Sequence, residues 1–328
     1  MAEYVSCEWI ENGMDFDVGV YGSNIMECCY VSCPGGGNIM LKRNFDGSPI
    51  DWEEFWKLKN HYRNIQKSGQ TVKECTDCVF LRKDNWDEGN HIKSVIFDHF
   101  TKCNCDCVYC YTHEEKRKYN TLKSYNVLPV VKDMVERGIF IPGGQIGFGG
   151  GEPTMLDEFE DLINYLLDNG FDNISIPTSA IKYSPVIEKG VSMGAINVQN
   201  SIDSGRRETF AMIKGIDAYD TVIENMRRYA SKKAEDFNVI SKYIICPGYN
   251  DMKREADLWL ETCEKIGIKT LMLSVENIWL KSHRHEGNKR IVDLVRYILE
   301  KGQSMFPYCQ GENHVMQLLS GVEKDNQQ

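Results

Sequence analysis

Cys103-Asn104-Cys105-Asp106-Cys107-Val108-Tyr109-Cys110 is the stretch on which the reading of this chain turns. It contains the spacing C-x-x-x-C-x-x-C and follows a short apolar run, Ser94 to Phe97, that reads as a strand. Three thiolates can hold three irons of a cubane and leave the fourth iron open to a ligand, much as a catalytic zinc keeps one position free. The competing reading is a zinc knuckle with Cys105 as the fourth thiolate, since four sulfurs suit either metal.

Outward from the loop, further short apolar runs alternate with amphipathic helical runs: Gln145 to Phe148, Asn173 to Ile176, Ile196 to Ile202, Val239 to Ile245 and Thr270 to Val275. Such alternation implies parallel strands joined by helical crossovers, an α/β fold. The helix after the second strand is the clearest, with Leu156, Phe159, Leu162, Ile163, Leu166 and Leu167 on one face and Gly170 at its end. A closed barrel and an open sheet write the same pattern. In a parallel barrel the chemistry sits just past the carboxyl ends of the strands, where the cysteine loop falls.

At 328 residues, roughly 150 residues per domain gives two domains. Ten of the 13 cysteines precede position 111, and the break between a metal-rich front and a regular remainder falls near Asn90. Ahead of it, Asp51 is placed to cap a helix with Glu54 reaching back, Trp52, Phe55, Trp56, Tyr62 and Ile65 follow at helical spacing, and Gly69 ends it. An odd number of cysteines does not fit a fully paired secreted scaffold, so metal ligation in a reducing cytoplasm is expected. The 38 Lys+Arg against 48 Asp+Glu give a net charge of −10, which repels a phosphate backbone, so no nucleic-acid partner is expected. Met1 to Trp9 carry no basic segment leading into an apolar core. No apolar run approaches the roughly 18 residues that crossing a bilayer requires, so no membrane partner is expected either.

The cysteine spacing, the aromatic Tyr109 before the last cysteine and the position after a first strand resemble the radical S-adenosylmethionine (radical SAM) superfamily. Cys105 lies outside the family pattern. A second match follows the second strand, where Phe148-Gly149-Gly150-Gly151-Glu152-Pro153 is similar to the family's Gly-Gly-Glu-Pro segment. A third, Asn200-Ser201-Ile202-Asp203-Ser204-Gly205 followed by Lys214 and Gly215, resembles the fourth-strand run of the peptide-maturing branch. There Ser204 intrudes before the glycine, and Lys214 stands where an arginine is commoner. The fifth strand ends Ile245-Cys246-Pro247-Gly248-Tyr249-Asn250-Asp251, similar to the family's Pro-Gly-x-Asn turn. The matches run in order from residue 93 to about 280, an agreement across levels.

The resemblance implies a partial (β/α)6 TIM-like barrel over residues 91–328 with a C-terminal helical tail. It implies a 4Fe-4S cluster on Cys103, Cys107 and Cys110 with S-adenosylmethionine at the open iron. It assigns Tyr109, Gly150, Gly151, Glu152, Ser201, Asp203 and Lys214 to the cofactor. Gly150 and Gly151 would present carbonyls to the methionine amino group, which bare backbone allows, and Glu152 would hold that end. Ser201, Asp203 and Lys214 would lie near the ribose and carboxylate. Read locally, the same residues also fit a glycine-rich turn with Pro153 opening a helix, and a strand end followed by a helix cap. In the family, one electron from the cluster splits the sulfonium into methionine and a 5′-deoxyadenosyl radical, which takes hydrogen from the substrate. An electron donor such as flavodoxin or ferredoxin is then a partner.

Residues 1–90 hold Cys7, Cys28, Cys29, Cys33, Cys75 and Cys78, with Gly22 and Asn38 marking turns. The arrangement resembles half of a SPASM or twitch module, although in the family that module usually follows the barrel. It implies an auxiliary 4Fe-4S cluster on Cys7, Cys28, Cys75 and Cys78. Cys29 or Cys33 is an alternative to Cys28, and a structural zinc to the cluster. Cys246, Cys263 and Cys309 read as small buried hydrophobes, Cys246 also being a candidate thiol hydrogen donor. His283 and His285 read as part of a solvated loop, and Glu114 to Lys118 as a solvated charge run.

These readings point to an oxidoreductase or maturase that takes hydrogen from a peptide or small polar substrate. Net oxidation is expected because an auxiliary cluster would accept the substrate's remaining electron. A radical SAM epimerase or rearrangement enzyme, a glycyl-radical activating enzyme and a zinc-stabilised binding module are the alternatives. The C-x-x-C-x-x-C-x-x-x-C insert that would mark an activating enzyme is not seen.

Overall fold

The computed structural model describes residues 2–18, 24–26, 39–78, 80–87, 89–110, 124–276, 279, 289–302 and 305–306. Two compact units divide the chain: Met1–Lys102 with Glu115–Ser175, and Cys103–Glu114 with Ile176–Gln328. Cys28, Cys29, Cys33, Gly22, Asn38, the Glu114 to Lys118 run, His283, His285 and Cys309 lie outside the described residues.

The first unit opens with β1 (Ala2–Ser6), α1 (Glu8–Asn12), β2 (Gly13–Asp17), β3 (Asn24–Met26) and β4 (Met40–Arg43). The Cys7 sulfur caps α1, accepting the Ile10 N–H at 3.5 Å. Next comes α2 (Trp52–Lys67), where the Asp51 carboxylate accepts from the Glu53 and Glu54 N–H groups as an N-cap should. Just past its end, Gly69 takes φ +80°, the left-handed backbone that favours glycine. β5 (Arg82–Trp86) pairs antiparallel with β1. β6 (Ser94–Asp98), α3 (Leu128–Glu136), β7 (Ile146–Phe148), α4 (Phe159–Asp168) and the start of β8 (Ile174–Pro177) complete the unit.

β2, β6, β7 and β8 run as parallel neighbours, with β3 and β4 added antiparallel beyond β2. Asn90 lies within this unit, and β2 ahead of it pairs with β6 beyond it. Alternation along paired strands puts Phe16, Phe97 and Phe148 on one face. There Phe16 stacks on Phe97 at 5.7 Å between ring centroids, and Phe148 meets Phe159 of α4 edge-on at 5.9 Å. Asp15, Asp17 and Asp98 share the opposite face.

The second unit continues through α5 (Pro185–Met193), β9 (Ile196–Ser201), α6 (Arg207–Lys214), α7 (Tyr219–Lys232), β10 (Val239–Ile245), α8 (Lys253–Lys265), β11 (Thr270–Val275), α9 (Lys289–Lys301) and β12 (Met305–Phe306). β9 to β12 are parallel neighbours in sequence order. Ser184 caps α5 and Gly194, at φ +77°, closes it. Fully buried Trp259 of α8 donates to the Ser241 hydroxyl of β10 at 2.9 Å, so the helix packs through an aromatic that also has its polar edge satisfied. The six strands expected from sequence are present as β6 to β11, and the α/β class with parallel strands and helical crossovers stands. Among the described residues no helix is long and apolar enough to cross a membrane.

Candidate active site

The cysteine loop belongs to the second unit, and Cys103, Cys105, Cys107 and Cys110 are all partly exposed. Its backbone is tied to the end of α6: the Asp106 N–H donates to the Lys214 carbonyl at 2.8 Å, and the Val108 N–H to the Ile213 carbonyl at 2.9 Å. Gly215, at φ +68°, lets the loop approach that closely, since a Cβ there would come within 2.7 Å of Asp106. The Cys105 thiol is pushed far up, first by hydrogen bonds to Cys103 and Cys107 and then by burial. Cys107 moves the opposite way, to about 7, chiefly through the bond from Cys105 and against the effect of burial. The Lys214 charge and the Tyr109 hydroxyl add to the lowering, and Asp203 opposes it.

Several thiols on one short, partly exposed loop, one of them close to its thiolate form at neutral pH, make a donor set suited to iron-sulfur ligation. Among the described residues no three His, Cys, Asp or Glu side chains converge closely enough to hold a single metal ion. Ligands to a cubane sit on separate irons and need no such convergence.

Asp203 and Lys214, expected near the cofactor's ribose and carboxylate, are buried and paired with one another at 2.5 Å. The Tyr109 hydroxyl donates to the same Asp203 oxygen at 2.7 Å, and the Lys214 ammonium also donates to Tyr109. Asp203 takes φ +59°, and its second oxygen accepts the Ile244 N–H at 2.7 Å. Ser201 stands half-buried at the end of β9. Cys246 is buried, donates weakly to the Ile244 carbonyl at 3.4 Å, and its thiol is raised by burial and by Asp203.

Two residues that sequence reading passes over organise this region. The Asn250 amide donates to the carbonyls of Asp203 and Ile244 at 2.8 and 2.9 Å while its oxygen accepts the Cys246 N–H, clamping the ends of β9 and β10 together. Glu255 of α8 is buried and accepts from Ser204 and Arg206, both at 3.1 Å, which gives the intruding Ser204 a structural use. Only the Pro-Gly-x-Asn turn hints at the first in sequence.

The Gly-Gly-Glu segment belongs to the first unit, where it runs along the exit of β6. The Gly151 N–H donates to the Phe100 carbonyl at 3.0 Å and the Glu152 N–H to the Lys102 carbonyl at 2.8 Å. Gly150 takes φ +71°, and a Cβ there would overlap the Phe100 carbonyl oxygen; one at Gly151 would overlap that of Lys102. Buried Glu152 caps the short turn Pro153–Met155, accepting from the Thr154 N–H and hydroxyl at 3.2 and 2.6 Å. In the same unit Cys7 and Cys75 are buried in one apolar cluster with Trp9, Ile10, Ile39 and Val72, and Cys78 packs against it.

Comparison with known proteins gives a match to the profile of the Radical SAM superfamily over residues 97–260, which is 164 of 328 residues, half of the chain. A probable GTP 3′,8-cyclase of Saccharolobus solfataricus is 25% identical over 171 residues, covering 52% of this chain and 53% of that protein. A probable GTP 3′,8-cyclase of Sulfurisphaera tokodaii is 30% identical over 125 residues, 38% of this chain and 39% of that protein. The chain thus spans about half the length, or less, of these curated relatives. Among solved structures, Streptococcus suis SuiB bound to the precursor peptide SuiA aligns with a TM-score of 0.49 at 10% identity, covering 98% of this chain and 75% of that one. A radical SAM methyltransferase from Sphaerobacter thermophilus aligns at 0.44 with 15% identity, covering 63% of each chain.

Proposed function

The chain belongs to the radical SAM superfamily, whose enzymes bind a 4Fe-4S cluster and S-adenosylmethionine and fold as a partial TIM barrel, and on that premise we propose that it takes hydrogen from a peptide or small polar substrate with net oxidation. The observation that carries the reading is the loop after β6, with Cys103, Cys107 and Cys110 in the family spacing and Cys107 near its thiolate form. These three are the proposed ligands. When bound, the cluster supplies the electron that splits S-adenosylmethionine into methionine and the radical that abstracts hydrogen. Tyr109, Gly150, Gly151, Glu152, Ser201, Asp203 and Lys214 are the proposed contacts to S-adenosylmethionine, and a flavodoxin- or ferredoxin-type protein in the cytoplasm is the proposed reductant.

We keep residues 1–90 as a proposed auxiliary module and 91–328 as the barrel segment. Supporting this, Cys7 and Cys75 lie in one buried apolar cluster against which Cys78 packs, and Cys28 would be the fourth ligand. A second cluster would take the electron that remains on the substrate after hydrogen abstraction, which is what favours net oxidation. The relatives named as probable GTP 3′,8-cyclases favour a second reading, a radical rearrangement of a nucleotide.

The test uses anaerobically reconstituted, chemically reduced protein with S-adenosylmethionine, 5′-deoxyadenosine being measured. Wild type is expected to form it slowly and Cys107→Ala not at all; equal formation by both would reject the ligand assignment. Strong acceleration by GTP, with a cyclised nucleotide as product, would replace net oxidation by the second reading.

A further inference from the structure

The Tyr109 hydroxyl meets three groups. It donates to Asp203 Oδ2 at 2.7 Å, receives a hydrogen bond from the Lys214 ammonium, and lies in hydrogen-bond contact with the sulfur of Cys107. Lys214 in turn donates to the same Asp203 oxygen at 2.5 Å. Both charged side chains are buried, Asp203 completely, and the remaining Asp203 oxygen is occupied by the Ile244 N–H. The carbonyl of Lys214 also receives the Asp106 N–H, so one residue holds the loop through its backbone and reaches Tyr109 through its side chain.

A phenol has one proton to give. Asp203 and the Cys107 sulfur compete for it, and Lys214 weakens the pull of Asp203 by neutralising that carboxylate. Burial strengthens each of these interactions, because little solvent screens them. Iron-sulfur potentials respond to hydrogen bonds on the ligand sulfurs and to nearby charge. We propose that Tyr109, Asp203 and Lys214 act as a positioning network that sets the reduction potential of the cluster through Cys107. The proposal rests on Cys107 being a cluster ligand.

The experiment is a redox titration of the reconstituted protein without S-adenosylmethionine, followed by electron paramagnetic resonance, with iron and acid-labile sulfide measured on every sample. Tyr109→Phe removes the sulfur's hydrogen bond without changing charge and is expected to lower the potential. Lys214→Met leaves Asp203 uncompensated and is expected to lower it, whereas Asp203→Asn frees both the phenol proton and a positive charge and is expected to raise it. The double variant, which buries no lone charge and so guards against misfolding of the singles, is expected to return close to wild type. Unmoved potentials in Tyr109→Phe and both singles, or shifts of one sign in Lys214→Met and Asp203→Asn, would overturn the network. Wild-type protein without a cluster would instead reject the ligand reading beneath it.

Discussion

Cys105, which the family pattern does not use, hydrogen-bonds the sulfur of Cys107, which it does, and that bond is the main cause of the low pKa of Cys107. A lowered pKa means that the thiolate forms as pH rises through about 7, below the ordinary thiol value of about 8.5. In metal-free protein, alkylation of Cys107 by iodoacetamide, followed by peptide mass spectrometry, is therefore expected to rise with a midpoint near pH 7. Cys105→Ala is expected to move the midpoint upward, towards the ordinary range. A midpoint that does not move would assign the effect to Lys214 instead.

Glu152 has two roles to separate, since it caps the Pro153–Met155 turn and is the proposed partner of the cofactor's ammonium. Glu152→Ala is expected to cost about 0.5–2 kcal/mol of stability through the lost cap. It is also expected to weaken S-adenosylmethionine binding by about 1.5–3 kcal/mol, roughly ten- to a hundredfold. Glu152→Gln keeps an acceptor for Thr154 and removes the charge, so it should stay near wild type in denaturant melts yet still bind the cofactor poorly in calorimetry. Normal affinity in both variants would leave Glu152 as a cap alone.

Replacing Cys75 and Cys78 together by Ala tests the front module. The variant is expected to lose the iron of one cluster, to keep forming 5′-deoxyadenosine, and to yield little oxidised product, so that the two outputs uncouple. Equal loss of both would indicate that the metal holds up the N-terminal fold. Unchanged iron and full product would remove the auxiliary cluster, and Cys246 would become the hydrogen donor to test for an epimerisation or rearrangement.

The strands β6 to β11 are legible because buried parallel strands read as continuous apolar runs between turns; β11, Thr-Leu-Met-Leu-Ser-Val, is buried along its whole length. β2 is not. Met14 and Phe16 alternate with Asp15 and Asp17 over only five residues. Asp15 is buried with neither oxygen hydrogen-bonded, its carboxyl pushed well above the usual range by burial and then by Asp98 and Asp17. Nothing local in sequence announces a strand that buries such a carboxyl. The cysteine loop and the Gly-Gly-Glu segment are short-range patterns and can be read directly. The bond from Tyr109 to Asp203 joins residues 94 positions apart, and the Asn250 clamp depends on where two strand ends meet, so both need the fold.

Ligation of an open-iron cluster by Cys103, Cys107 and Cys110 is tested by the electron paramagnetic resonance spectrum of the reduced protein before and after adding S-adenosylmethionine, with iron and acid-labile sulfide determined on the same samples. Wild type and Cys105→Ala are expected to contain a cluster whose signal changes when the cofactor occupies the open iron. Cys103→Ala, Cys107→Ala and Cys110→Ala are each expected to lose that response. A colourless protein that binds zinc, carries no acid-labile sulfide and gives no signal would contradict the account, as would a response that survives Cys107→Ala and disappears in Cys105→Ala.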